Sequence, residues 1–154
     1  MYQNNDIDWT WDGDFIVGDN GDFLATQPDP FKSLRTEIAT VVRSEMGDWS
    51  EHPKLGAGLS TFVGKPNSKE TGLKIEQTVR SALVQNMNVK LQDLDVNVTP
   101  ITIHTVLLTI TVRVETVPSS EYAKDGTIII ALSYDTLEDT VIFYDVNLVQ
   151  RQGR

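Results

Sequence analysis

The order of hydrophobic periods predicts an α+β domain: two helices packed on a mainly antiparallel β-sheet, with an N-terminal β-meander and a C-terminal hairpin. Three observations lead there. Apolar residues recur at three- and four-residue steps in two neighbouring segments, before residue 46 and after residue 67. From about Val96 the period changes to two. The order is strands, two helices, then strands, which argues against a doubly wound sheet. The chain, residues 1–154, reads as one domain. It divides into a meander over 1–28, two helices with a glycine-rich connecting loop over 29–87, and antiparallel strands over 93–150.

In the meander, Ile7-Asp8-Trp9-Thr10-Trp11 alternates apolar and polar residues, followed by Phe15-Ile16-Val17 and Phe23-Leu24-Ala25. Asp12-Gly13-Asp14 and Gly18-Asp19-Asn20-Gly21-Asp22 lie between them and supply the positive φ angles of tight hairpins. Asp29-Pro30 opens the first helix: Asp caps free N–H groups, and Pro suits the first helical position. Phe31, Leu34, Ile38, Val41 and Val42 form its apolar stripe, and Met46-Gly47 closes it with Gly47 as a left-handed cap.

A long loop dense in punctuation follows: Gly47-Asp48-Trp49, His52-Pro53, Gly56-Ala57-Gly58-Leu59 and Gly64-Lys65-Pro66-Asn67. Loops beyond about a dozen residues are uncommon in compact domains and are often functional. Gly47, Asp48, Gly56, Gly58, Leu59, Gly64 and Pro66 are its expected structural residues. Asn67-Ser68-Lys69-Glu70 has the form of a capping box and starts the second helix. Ile75, Val79, Ala82, Leu83 and Met87 make that helix's stripe, and Gly72 weakens it modestly.

The clearest strand runs from Thr105 to Glu115, with Val106, Leu108, Ile110, Val112 and Val114 on one face. Val96-Asn97-Val98 precedes it, and Pro100 lies in the connection. Thr127 to Tyr134 and Val141 to Val149 read as two more strands, joined by the loop Asp135 to Asp139. Thr105, Thr109, Thr111 and Arg113 occupy the second face of the best strand. If that strand lies at an edge it can accept another chain's strand; if it lies inside, the face is simply solvated.

The formal charge is −9, and residues 1 to 31 hold seven aspartates and no Lys or Arg. No basic stripe is present to neutralise phosphates, so no nucleic-acid partner is expected. The acidic end either steers toward a basic protein surface or simply occupies turns. There is no cysteine, which removes disulfides and thiolate metal sites. The start of the chain has neither a basic n-region nor an apolar h-region, and apolar runs fall far short of the ~20 residues of a membrane helix. The expectation is a soluble protein made and kept in a cytoplasm, with no membrane partner.

No constellation for chemistry stands out, so no catalytic residue, cofactor or metal is expected. Glu45, Asp48 and Glu51 cluster near Trp49, but a glycosidase needs two carboxylates facing one cleft, about 5 to 9.5 Å apart. His52 and His104 have no ligand partners at diagnostic spacing. Asp12-x-Asp14 and Asp19-x-x-Asp22 lack the twelve-residue calcium pattern. Gly64-Lys65-Pro66 places Pro where a phosphate loop needs a free N–H. Trp49 either anchors an interface or plugs the gap between loop and helices.

The ordered set of motifs resembles the baseplate-wedge, or sheath-initiator, family of contractile phage tails, whose relatives include a baseplate component of type VI secretion systems. The set comprises Asp12-Gly13-Asp14-Phe15, the Gly/Asp hairpin, Leu34-Arg35, Gly47-Asp48-Trp49, Gly56-Ala57-Gly58-Leu59, Gly64-Lys65-Pro66 and the helix beginning near Glu70-Thr71. It spans roughly residues 8 to 115. The resemblance implies a structural part of the virion's tail baseplate, assembled in the host cytoplasm and present in several copies around the tail axis. Its implied partners are the tail sheath protein, baseplate wedge proteins, and tail tube or hub proteins, with sheath assembly initiated by strand pairing. Many members carry an acidic residue, Pro and Arg in succession after the second helix; here residues 88–94 read Asn-Val-Lys-Leu-Gln-Asp-Leu, and the triplet is absent. The alternatives are another tail connector or completion protein, or a peptidoglycan hydrolase.

Overall fold

The computed structural model describes residue 7 and residues 14–25, 30–87, 89–114, 126–144 and 149–151. It has the expected α+β architecture. Helices α1 (Pro30–Arg43) and α2 (Lys69–Asn86) pack on an antiparallel sheet of β1 (Leu94–Pro100), β2 (Thr105–Val114), β3 (Gly126–Asp135) and β4 (Thr140–Tyr144). The spatial order is β1-β2-β3-β4, and β5 (Val149–Arg151) pairs with the start of β3 beyond the reach of β4.

The core lies between the helices and one face of this sheet. Leu34, Ile38, Val41 and Val42 of α1 meet Ile75, Val79, Ala82 and Leu83 of α2. Beneath them lie Val96, Val106, Leu108, Ile110, Val112, Ile128, Ile130, Leu132 and Tyr134, one residue in two along the strands. Each fully buried aliphatic side chain contributes about 1.5–3 kcal/mol. Arg43 at the end of α1 lies 4.7 Å over the Phe143 ring and fastens that helix to β4.

Several boundaries differ from expectation. Helix α1 stops at Arg43 rather than Met46. The partners of the next ladder bond turn elsewhere: Glu45 N donates to Asp48 Oδ2 at 2.8 Å, and Val41 O accepts from Ala57 N at 2.9 Å. Gly47 therefore sits in a turn beyond the helix, at φ 94°, with its N–H donated to Pro53 O. The Phe31 side chain and the Asp29 cap lie outside the described residues.

At α2 the cap falls one residue later than the box Asn67-Ser68-Lys69-Glu70 places it, so Glu70 is not the third helical residue. Ser68 is the cap, its hydroxyl accepting from Thr71 N at 3.2 Å. Glu70 turns instead to Lys74, at 2.7 Å, and that exposed pair lowers the Glu70 carboxyl below its ordinary value. Gly72 has room for a methyl group: its Cβ would meet Val98 Cγ1 at 3.7 Å, an ordinary contact. Gly72→Ala is expected to raise stability by about 0.5–1 kcal/mol in urea unfolding, because it restricts the unfolded chain at no steric cost. Unchanged or lower stability would refute this.

The C-terminal strand expected over 141–149 is two strands, β4 and β5, with 145–148 outside the described residues. Among the described residues of the N-terminal meander the pairing consists of isolated bridges, Val17 with Phe23 and Ile7 with Ala25. Trp9, Trp11 and residues 8–13 lie outside the described residues.

Candidate functional site

The connecting loop is built as a clamp. Its Gly47, Gly56, Gly58 and Gly64 all hold positive φ, between 66° and 129°, which is why glycine recurs there. The chain turns back onto the end of α1, where helix carbonyls lack intrahelical donors. Ala57 N donates to Val41 O at 2.9 Å, and Gly58 N reaches Ser44 O at 3.4 Å. Leu59 opens a short 3₁₀ turn, Leu59–Phe62, that buries Leu59 and Phe62 in the core. Asp48 closes the turn before it by accepting from Glu45 N at 2.8 Å. Pro66 O accepts from Ser68 N at 2.8 Å and so shapes the entry to α2.

The far half of the clamp is stitched to the hairpin ends of the sheet. Gly64 N donates to Thr136 O at 2.9 Å, and Thr136 N to His104 O at 2.8 Å. Asn67 Nδ2 donates to Thr102 O and Thr105 O, using both amide protons. Buried Tyr134 places its hydroxyl 2.6 Å from Leu59 O and 2.8 Å from Asp139 Oδ1, so one proton serves two acceptors. Burial first, then donation to Asp139, pushes the Tyr134 phenol well above its ordinary value. Backbone N–H groups of Leu137 and Glu138 hold the Asp135 carboxyl low. The result is a fixed pole from which Val63, Ile101, Ile103 (77% exposed) and Leu137 (61%) project into solvent. Singly exposed apolar residues are ordinary.

The sequence candidates fall as follows. Trp49 is half exposed, and its indole N–H donates to Ser44 Oγ at 3.1 Å, so it is tethered to the loop without being buried in it. Glu45 is a cap: its carboxylate accepts from Ser60 N at 3.1 Å and Ser60 Oγ at 2.9 Å. Asp48 is likewise occupied, so these two carboxylates have structural partners, and Glu51 is exposed. Among the described residues no group of three or more His, Cys, Asp or Glu could hold a metal ion, and no helix is long and apolar enough to cross a membrane.

Thr105, Thr109, Thr111 and Arg113 do lie on the outer face of β2, but β2 is not an edge. It pairs with β1 from Val106 to Val112 and with β3 along its whole length. Its backbone groups are therefore committed on both sides, and it has no capacity to accept a further strand.

Among the described strands, the edges are β1 on one side and β4 with the short β5 on the other. Ile101 N donates to Thr105 O, and Thr136 N to His104 O, which sets the parity of the ladder. Odd residues of β2 face β1 and even ones face β3. It follows that Leu94, Val96, Val98 and Pro100 turn their backbone groups to the free edge of β1. That edge is blunted: Pro100 has no N–H, and Arg80 Nη2 lies 3.4 Å from Val96 O while pairing with Glu76 and Asp95. On β4 the same parity leaves the backbone groups of Val141 and Phe143 facing outward, flanked by exposed Ile142 and Tyr144.

Sequence reasoning missed Tyr134, Asn67 and Arg80. Tyr134 could have been found, since its strand phase puts a phenol on the buried face, where it must find a partner. Arg80 carries no such signal, because its role depends on which strand ends up at the edge. Compared with known proteins, the chain matches no family model and no curated protein sequence.

Proposed function

We propose that this chain is a structural baseplate protein of a contractile tail, without catalytic activity, that joins wedge proteins near the tail tube and initiates sheath assembly by strand pairing. The ordered motifs from Asp12 to Thr71 suggest the family, and one structural observation supports the mode of action. Among the described strands, β1 presents a blunted edge, and β4 presents a longer open edge than the three-residue β5, which makes β4 the better place for an incoming strand. Strand addition gives main-chain hydrogen bonds with little sequence demand, and repetition around an axis supplies avidity.

The test is recovery of the tagged chain with its partners from lysate of its producing cells, followed by mixing with purified sheath protein. Sheath, tube and wedge proteins are the expected partners, and sheath polymerisation is expected only when the chain is present. A connector would bind without nucleating sheath. Recovery of none of these proteins from a lysate that contains assembled tails would overturn the proposal.

Val141→Pro sharpens the test. Proline removes the outward N–H of the edge strand while the bonds from β4 to β3 stay intact. Sheath nucleation is expected to fall by about tenfold or more, with circular dichroism unchanged, as loss of a main-chain hydrogen bond and of strand fit predicts. Full nucleation by this variant would show that β4 is not the acceptor.

A further inference from the structure

The hairpin of residues 14–25 is used neither by the core nor by the sheet edges. None of its residues is buried and none belongs to the core. Yet it is folded. Leu24 N donates to Ile16 O at 2.8 Å, Gly18 N to Asp22 O at 2.8 Å and Gly21 N to Gly18 O at 2.9 Å, with Gly21 at φ 85°. Asn20 brackets Asp22, receiving its N–H at 3.2 Å and donating to its carboxylate at 2.9 Å.

This preformed turn holds apolar side chains in water. Phe15 (42%), Val17 (56%), Phe23 (57%) and Leu24 are exposed, and the Phe15 and Phe23 rings sit 4.9 Å apart at 48°. Exposed aromatic residues are typical interface anchors. A surface already shaped loses little entropy on binding.

The charge pattern selects the partner. Asp19 and Asp22 lie in the turn between Phe15 and Phe23, and residues 1–31 contain seven aspartates and no Lys or Arg. Nucleic acid and anionic membrane would be repelled, and a second copy would bring the same acids face to face. The geometry points to the hairpin 14–25 as a docking finger for a protein surface with an apolar cleft rimmed by Lys or Arg. The aromatic pair fills the cleft; the aspartates speed encounter and make it salt-dependent. This goes beyond the strand-pairing role and does not depend on it, because it uses a different segment.

The test pans a displayed random-peptide library against the full chain and measures the selected peptides by fluorescence anisotropy. Three forms are compared: the unaltered chain, Phe15→Ser with Phe23→Ser, and Asp19→Asn with Asp22→Asn. The Asn substitutions keep an acceptor oxygen at each position and remove only charge. Selected peptides are expected to combine Lys or Arg with aliphatic or aromatic residues, and to shift amide resonances of residues 14–25 in the unaltered chain. Affinity is expected to fall about tenfold or more in the Phe double variant, a typical loss for an interface anchor. It is expected to weaken from about 0.01 M to about 0.15 M salt, as the Debye length shrinks from about 30 Å to about 8 Å, with much less salt dependence in the Asn variant. Selection of peptides without basic residues, binding unchanged by the Phe substitutions, or no selection at all overturns the proposal. So does tighter binding to phosphatidylcholine–phosphatidylserine vesicles, or self-association in sedimentation that the Phe variant abolishes.

Discussion

Gly56→Ala is expected to destabilise the protein by about 3–5 kcal/mol, the sum of a strained backbone angle and a steric overlap. Gly56 holds φ 129°, where side-chain-bearing residues rarely sit. A Cβ there would lie 2.5 Å from Ser44 O and 2.8 Å from the Ser44 and Glu45 carbonyl carbons. These are backbone atoms at the end of α1 and cannot rotate away. The loop cannot retreat either, because Ala57 N and Gly58 N are bonded to Val41 O and Ser44 O on either side of the same approach. At about 2–4 °C per kcal/mol for a chain of this size, the thermal midpoint is expected to drop by about 10 °C or more. Gly64→Ala is the control. Gly64 has φ 77° but nothing within 4 Å of its Cβ position, so only the left-handed penalty of about 1–2 kcal/mol applies. Urea unfolding of both variants separates the effects. Equal losses would mean that the close approach to α1 contributes nothing and that backbone angle alone explains the loop's glycines.

The contrast between these glycines shows what sequence could and could not reveal. A dense run of glycines signals positive φ, and the four loop glycines do hold it. What distinguishes Gly56 is a long-range approach to Ser44, and no local pattern encodes that. Gly47 misled for the same reason. A left-handed glycine closes a helix or makes a turn equally well, and α1 had already ended where Glu45 N turns to Asp48 and Val41 O to Ala57 N. Helix α2 and strand β2 were legible because each buries one face, and burial imposes a period that residues must follow. Whether β2 lay inside or at an edge was not legible. Its Thr-bearing outer face suits both positions, and the answer rests on pairing between Thr105–Val114 and Gly126–Asp135. Likewise Glu45 and Asp48 read as acids near a tryptophan, while the structure makes them caps for backbone N–H groups.

Tyr134→Phe is expected to cost about 1–3 kcal/mol at neutral pH, because it leaves the Leu59 carbonyl without its donor beside the core. The ring itself stays buried in the same shape, so no cavity term is added. Leu59 and Tyr134 lie 75 residues apart in sequence, and their hydrogen bond ties the clamp to the sheet; its loss is also expected to loosen the 3₁₀ turn Leu59–Phe62. The pH dependence gives a second signature. An unfolded tyrosine ionises near pH 10, whereas burial and the bond to Asp139 raise the phenol above that in the folded state. Above about pH 10 the folded chain therefore keeps a proton that the unfolded chain has released, and the unfolding free energy falls as pH rises. The stabilisation is fully present below the unfolded value and is lost on the alkaline side. Phenylalanine has no proton to keep, so the variant lacks this part of the decline. The gap between the two proteins is expected to be constant from about pH 7 to about pH 9 and to narrow beyond about pH 10. Urea unfolding of both across that range, with hydrogen exchange of the Leu59–Phe62 amides, measures both effects. A gap that stays constant through the alkaline range would mean that the phenol is not held neutral by its burial, and unchanged exchange at Leu59–Phe62 would mean that the clamp does not depend on it.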